Sequence, residues 1–333
     1  MKLELVVEDL PFKRPFAITG HVFTSSRVVV ATLEDGPYRG RGEACGVYYL
    51  GDDSQAIVAA IERVRPVVES GITRAALQQM LPPGGARNAL DCALWDLEAA
   101  RTGRRVWQLA GQEQVKPLIT TLTVGAGTPE EMARDAVAFT GALAIKIKLT
   151  GDPVADVSRV RAVRAARPEA WMGVDANQGY DAAGLAAVLP TFVDLNVKLV
   201  EQPLPRGAEE QLESLQSPIP LAADESVLSA ADIPGLVGRF DVVNIKLDKC
   251  GGLTEALAMV AAARASGLGV MVGNMVGSSW AMAPAFVVGQ LCDIVDLDGP
   301  VSLQTDRAEP VEYRDGTIWA SDRVWGAGVR DGQ

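Results

Sequence analysis

Residues 144–175 read AIKIKLTGDPVADVSRVRAVRAARPEAWMGVD, and this stretch decides the architecture. It opens on Ala144–Leu149, a short run in which Lys146 and Lys148 alternate with Ile145 and Ile147. A turn with Gly151 follows, then the alanine-rich stretch Pro153–Ala166, built from good helix formers. The stretch closes on a second apolar run, Trp171–Asp175, which again ends in a charged residue. Strand, helix and parallel strand within about 30 residues make one βαβ unit. Working outward, the unit recurs. Further candidate strands are Ile119–Val124, Lys198–Glu201, Leu221–Asp224, Val242–Leu247, Gly269–Val272 and Ile294–Leu297, and Thr254–Ala265 repeats the alanine-rich helical pattern. At or just beyond their ends stand Thr123, Lys148, Asp175, Glu201, Asp224, Lys246, Asn274 and Asp296, mostly about 22 to 28 residues apart. That spacing fits a parallel α/β barrel, which gathers its chemistry at the C-terminal ends of its strands.

The first hundred or so residues do not keep this rhythm. Lys2–Val7 and Arg27–Leu33 are rich in β-branched residues and read as strands, while GRGE at 40–43 reads as a turn leading to a polar pocket. Helical patterns cover Asp53–Val68, Thr73–Met80 and Ala86–Ala100, with Gly103 placed to cap the last. After the eighth strand no long helix is evident. Val311–Ala320, with Asp315-Gly316 as a hairpin turn, reads as a return to the small domain. The expected fold is therefore α/β: a (β/α)7β TIM-like barrel with an α+β capping domain built from the N-terminal segment and the C-terminal tail. The expected division is 1–113 for the cap, 114–300 for the barrel and 301–333 for the returning segment. No low-complexity linker separates the parts, so they are expected to pack tightly.

Composition narrows the function. The 333 residues are 48% hydrophobic and carry a net charge of −11, which argues against nucleic acid as a partner. The start, MKLELVVEDLPFKRPF, alternates like a strand rather than resembling a signal peptide, and apolar stretches such as Gly269–Val276 are too short to span a membrane. The four cysteines, Cys45, Cys92, Cys250 and Cys292, show no metal-binding spacing and suggest reduced thiols in a cytoplasmic protein. With one histidine, His21, a histidine-rich metal site is excluded and a Ser-His-Asp triad is disfavoured.

Asp175, Glu201 and Asp224 come from three successive strand ends, in the contexts VDANQ, VEQPL and ADES. Any single aspartate there could cap the next helix. Three in register, without thiolate or imidazole, make an oxygen-only site suited to one Mg²⁺, with Mn²⁺ tolerated. Lys146 and Lys148 share one strand face, and Lys246 lies on the other side of the carboxylates. Desolvation and neighbouring cations are expected to lower a lysine pKa toward the range of a general base.

This order, KxK, then Asp, Glu and Asp, then a lysine, resembles the enolase superfamily, muconate-lactonising subgroup, across almost the whole chain. GRGEA at 40–44 and ARNALDCALWDLEAA at 86–100 belong to the resemblance. Within the subgroup it is most similar to the dipeptide epimerases, because of Asp296 and Asp298 in VDLDGP. There such a pair is associated with the free α-ammonium group of the substrate. The resemblance implies an isomerase with a small-molecule dipeptide substrate and two-base 1,1-proton transfer at the α-carbon next to the C-terminal carboxylate. Lys148 and Lys246 would serve the two faces, and Lys146 would be an added cation. Thr123 is placed among the substrate contacts, and a homo-oligomer is expected.

Specificity in the family comes partly from a cap loop, here TGHVFT at 19–24. Members acting on Ala-Glu dipeptides carry an arginine there. This chain has His21 and Phe23 as candidate substrate contacts, so an acidic second residue loses its partner. In-class alternatives are a cycloisomerase, an o-succinylbenzoate synthase or an N-acylamino acid racemase, against which the paired aspartates weigh. A catalytically silent binding barrel would not need both lysines and all three carboxylates.

Overall fold

The computed structural model describes residues 1–18, 21–327 and 329–330. Its centre is an eight-stranded sheet whose neighbours follow chain order: Thr121–Val124, Ala144–Lys148, Trp171–Asp175, Leu199–Glu201, Leu221–Ala223, Val242–Ile245, Gly269–Val272 and Ile294–Val295. All neighbouring pairs are parallel. Such strands are covered on both faces, and all five residues of Ala144–Lys148 are buried. Below the polar end the interior is filled by Leu199, Ala222, Val242 and Met271.

The seam between first and last strands is stitched by side chains. The Thr121 hydroxyl donates to Asp296, the Leu297 amide donates to the Thr120 hydroxyl at 2.9 Å, and the Thr123 amide donates to Asp298 at 2.6 Å.

Local chemistry explains most connections. Helix Pro153–Ala166 starts behind Asp152, whose carboxylate accepts the amides of Val154 and Ala155, with proline at the first turn. The connections after Leu199–Glu201 and Leu221–Ala223 carry only 3₁₀ turns, Glu209–Leu212 and Ala230–Leu236. Pro203, Pro205 and Gly207 in the first, and Pro234 within the second, disfavour a regular α-helix there.

The cap is an antiparallel sheet of Lys2–Ile18, His21–Asp35 and Tyr38–Ala44, joined at its edge by Val329–Arg330, with helices Ser54–Gly71, Arg74–Met80 and Gly85–Thr102. The first two strands are far longer than their β-branched cores suggested, because pairing continues past a register shift between Pro11 and Phe16. GRGE is strand, not turn. Its two glycines let that strand lie on helix Gly85–Thr102: an added Cβ would stand 2.2 Å from the Leu97 amide at Gly40 and 2.1 Å from the Ala89 carbonyl at Gly42. Gly103 ends the helix with φ 70°, as expected of a left-handed cap.

Cap and barrel meet through a polar seam. Arg87 donates to the Cys250 carbonyl at 2.5 Å, Asp91 accepts the Thr254 amide at 2.9 Å, and the Trp95 indole donates to the Thr254 hydroxyl at 2.9 Å. The hairpin Glu312–Arg314 and Thr317–Trp319 forms with Asp315 and Gly316 at its tip, but it does not return to the cap. It pairs instead with Leu118–Ile119, which the chain separates from the barrel strand at Thr120. Val329–Arg330 pairs with the cap sheet, which Leu303, Arg307 and Trp325 also reach through contacts with Phe12, Glu43 and Arg41. Among the described residues, no helix is long and apolar enough to cross a membrane.

Candidate active site

Alternation along parallel strands sends every second side chain inward. In the register Lys148 lies opposite Asp175, and Asp175 opposite Glu201; Asp224 and Lys246 follow directly on their strands. Oxygens of Asp175, Glu201 and Asp224 all lie within 4.8 Å of one another, and the three residues are at most 1% exposed.

The lysines bracket this cluster. Lys148 donates to Asp175 at 2.6 Å and Lys246 to Asp224 at 2.7 Å. Lys146 donates to Asp296 and stands 3.4 Å from Glu201. Lys148 thus sits one strand before the first carboxylate and Lys246 one strand after the last.

Electrostatics here differ from the sequence expectation in one respect. Burial alone would depress Lys246, but Asp224 and Glu201 outweigh it and hold the ammonium well above its usual value. Burial is likewise overridden at Lys146 by Asp296 and Glu201. Burial would also raise Asp224, yet Lys246 and Lys249 hold it well below the carboxylate range. Burial, reinforced by Asp175, pushes Glu201 up to about 7.

The donor set suits a divalent cation. Glu201 Oε2 is buried without a hydrogen-bond donor, an expensive state for a carboxylate oxygen. Three buried carboxylates converging without thiolate or imidazole make an oxygen-only donor set that fits Mg²⁺ or Mn²⁺.

Several members of the cluster escaped the sequence reading. Lys249 is 1% exposed and donates to Asp224 Oδ1 at 2.5 Å, from the short helix Leu247–Cys250 where strand alternation no longer applies. Asn244 donates to Glu201 at 2.6 Å, and its inward direction follows from alternation with Lys246. Glu225 is pushed up to about 8 by burial, Asp224 and Asp175; its neighbour Asp224 gave no hint that it too is enclosed. Asp296 and Asp298 lie together at the seam, lining a small cavity with Thr123, Lys146 and Ser302.

A larger cavity of about 430 Å³ opens over the lysines. Its cap side includes Phe12, Phe16, Phe23, Tyr48 and Tyr49. Thr19 and Gly20 of the expected specificity loop lie outside the described residues. His21 is exposed on the hairpin, stacked 5.9 Å from Phe23 and edge-on to Tyr48 at 4.9 Å. Phe23 reaches the cavity wall; His21 does not line it.

Two family models match the chain. "Mandelate racemase / muconate lactonizing enzyme, N-terminal domain" covers residues 2–111, and "Enolase C-terminal domain-like" covers residues 129–330. The chain belongs to this enolase-type family. Within it, the chain is 40% identical over 313 residues to the L-Ala-D/L-Glu epimerase of Escherichia coli (strain K12), covering 93% of this chain and 97% of that protein. An enolase family member from Agrobacterium tumefaciens, solved with sodium and L-Ala-L-Glu, superposes with a TM-score of 0.93 at 40% identity, covering 97% and 99% of the two chains. The dipeptide epimerase of Methylococcus capsulatus, solved with Mg and L-Arg-D-Lys, gives 0.89 at 30% identity, with 99% of each chain covered.

Proposed function

We propose that the protein is a Mg²⁺-dependent dipeptide epimerase of the L-Ala-D/L-Xaa type, inverting the α-carbon next to the C-terminal carboxylate. One observation carries the reading: Lys148 and Lys246 flank the carboxylate triad from opposite sides and line one cavity. Two bases on two faces invert a stereocentre, whereas one base gives exchange without inversion. The family relatives that bind or epimerise dipeptides support it.

Asp175, Glu201 and Asp224 would hold the cation. When bound, it supplies positive charge to the substrate carboxyl oxygens as the α-proton leaves, and shares the carboxylates that now hold the lysine ammonium groups. Lys146, between Glu201 and Asp296, adds a fixed positive charge beside the same carboxyl group. Lys148 takes the α-proton from one enantiomer while Lys246 returns one to the opposite face, and the roles reverse for the other enantiomer. Asp298, with Asp296 behind it, receives the substrate ammonium. Phe16, Phe23 and Tyr48 cover the site and limit water. The four cysteines, all free, fit the cytoplasm.

The test is solvent exchange. Incubating L-Ala-L-Xaa dipeptides in D₂O with Mg²⁺ should place one deuterium at the second α-carbon and yield both epimers. Absence of exchange across a broad dipeptide library would refute the assignment.

A further inference from the structure

The short helix Leu247–Cys250, directly after Lys246, faces two ways. Lys249 turns inward to Asp224, and Asp248 turns out toward the cap. Asp248 Oδ1 accepts the backbone amides of Cys45 at 3.0 Å and Gly46 at 3.1 Å, and the Asn88 side-chain amide at 3.3 Å. Cys45 and Gly46 lead from the third cap strand into a turn closed at its base, where the Val47 amide donates to the Asp52 carbonyl at 3.0 Å. That turn carries Tyr48 and Tyr49, both on the wall of the main cavity with Lys246.

The arrangement is specific in two ways. Asp248 is 5% exposed, and a carboxylate so enclosed persists only with several donors. Those donors are two consecutive backbone amides at the root of a loop, so the bond reports on where the loop sits rather than on a distant side chain. Helix Gly85–Thr102 supplies the third donor, fixing Asp248 against the most buried helix of the cap.

We propose that Asp248 is a positioning residue: it ties the turn bearing Tyr48 and Tyr49 to the barrel segment bearing Lys246, keeping the cap wall in register with the base. The proposal rests on Lys246 acting as a base and deepens that reading. Releasing the tie lets the wall drift, which weakens substrate capture while leaving the lysines and the carboxylate triad in place. The effect therefore falls on KM more than on kcat.

The test pairs two measurements on the full chain. Amide hydrogen exchange over residues 45–52 reads the tie without any substrate, and steady-state kinetics with free dipeptides reads its consequence. In Asp248→Ala, exchange over this segment should quicken about tenfold or more and KM rise about tenfold, with kcat within about threefold of wild type. Asp248→Asn keeps an oxygen for the two amides and should recover most of both, a rescue that general destabilisation would not give. If Asp248→Ala does not fold, Asp248→Ser, too short to reach both amides, should give the same loss. Unchanged exchange and KM in a folded Ala or Ser variant would overturn the proposal. So would a fall in kcat at constant KM, which would place Asp248's influence on Lys246 itself. If wild type turns over no dipeptide, the proposed function fails, and exchange over 45–52 alone still decides whether the tie exists.

Discussion

The ammonium of Lys249 stands 2.5 Å from Oδ1 of Asp224, with 1% of its side chain exposed. Lys246 takes the other oxygen at 2.7 Å, so each oxygen of this carboxylate meets its own lysine. Lys249 also donates to the backbone carbonyl of Asn244 at 3.1 Å, which fixes it in place whatever Lys246 does. Its place is thus fixed by the fold, and Lys246 is the one facing the cavity.

Replacing Lys249 by methionine should therefore damage the protein broadly. Removing one partner of a buried ion pair costs about 3 to 5 kcal/mol when the other charge is left unpaired; here Lys246 still meets Asp224 Oδ2, so the cost should lie toward or below the lower end of that range. We expect a fall of several degrees in Tm together with a higher Mg²⁺ requirement, read by thermal denaturation and metal titration. A variant with wild-type Tm and metal dependence would show that the pair is dispensable.

Cation dependence follows from the oxygen triad and its Glu201 Oε2, which accepts no hydrogen bond among the described residues and stands 3.4 Å from Lys146. Chelator should abolish epimerisation, Mg²⁺ should restore it, and Asp224→Asn or Glu201→Gln should impair it by orders of magnitude. Full turnover by metal-free protein would defeat the assignment.

The lysine pair is tested by separating exchange from inversion. Lys148→Ala and Lys246→Ala should each abolish epimerisation, since each removes the group serving one face. Arginine at either position keeps the charge against Asp175 or Asp224 but is too weak an acid to lose its proton. Those variants should leave at most one-sided deuterium exchange, from a single enantiomer. Full racemising activity in either alanine variant contradicts a two-base mechanism.

How far the sequence foretold all this can be seen residue by residue. Lys148, Asp175 and Glu201 were legible because strand periodicity fixes which side chains face inward, and parallel register then brings neighbouring strand ends together. Lys249 and Asp248 were not, because they sit on a four-residue helix after the strand, where a period of two no longer applies. GRGE was misread as a turn because glycine usually marks one; here it marks close packing of strand on helix, a relation between segments about 50 residues apart. For Lys246 the expected fall does not arise, because desolvation was weighed without the Asp224 carboxylate 2.7 Å away.

Asp298 is the sharper test of substrate class. Asp296 is already engaged by Lys146 and Thr121, whereas Asp298 accepts one backbone amide and lines the small cavity. A free substrate ammonium would match its charge; a neutral N-acetyl group would leave it unmatched, at a cost of several kcal/mol. N-acetyl dipeptides should be much poorer substrates than free ones, and Asp298→Asn should lower kcat/KM for the free forms. Equal turnover of N-acylated compounds would move the protein to the N-acylamino acid racemases.

The cavity wall bears on which second side chain is turned over. Phe12, Phe16, Phe23, Tyr48 and Tyr49 present an aromatic surface. Phe23 and Tyr48 contact each other edge-on at 5.3 Å across the hairpin and the turn. His21 is exposed, stacked on that wall rather than lining the cavity. Arg27 does line the cavity, but it pairs with Asp9 at 3.2 Å and its side chain is 58% exposed. An unpartnered carboxylate in such a pocket forfeits about 2 to 5 kcal/mol relative to one held by a buried arginine. Apolar second residues should therefore be turned over at least as well as glutamate in an L-Ala-L-Xaa library followed by deuterium uptake. His21→Ala should change kcat/KM for either class by less than about threefold, since an exposed ring stacked outside the cavity offers little binding energy. Exclusive preference for glutamate would overturn this, and its loss in Arg27→Gln would show that Arg27 leaves Asp9 to meet the substrate.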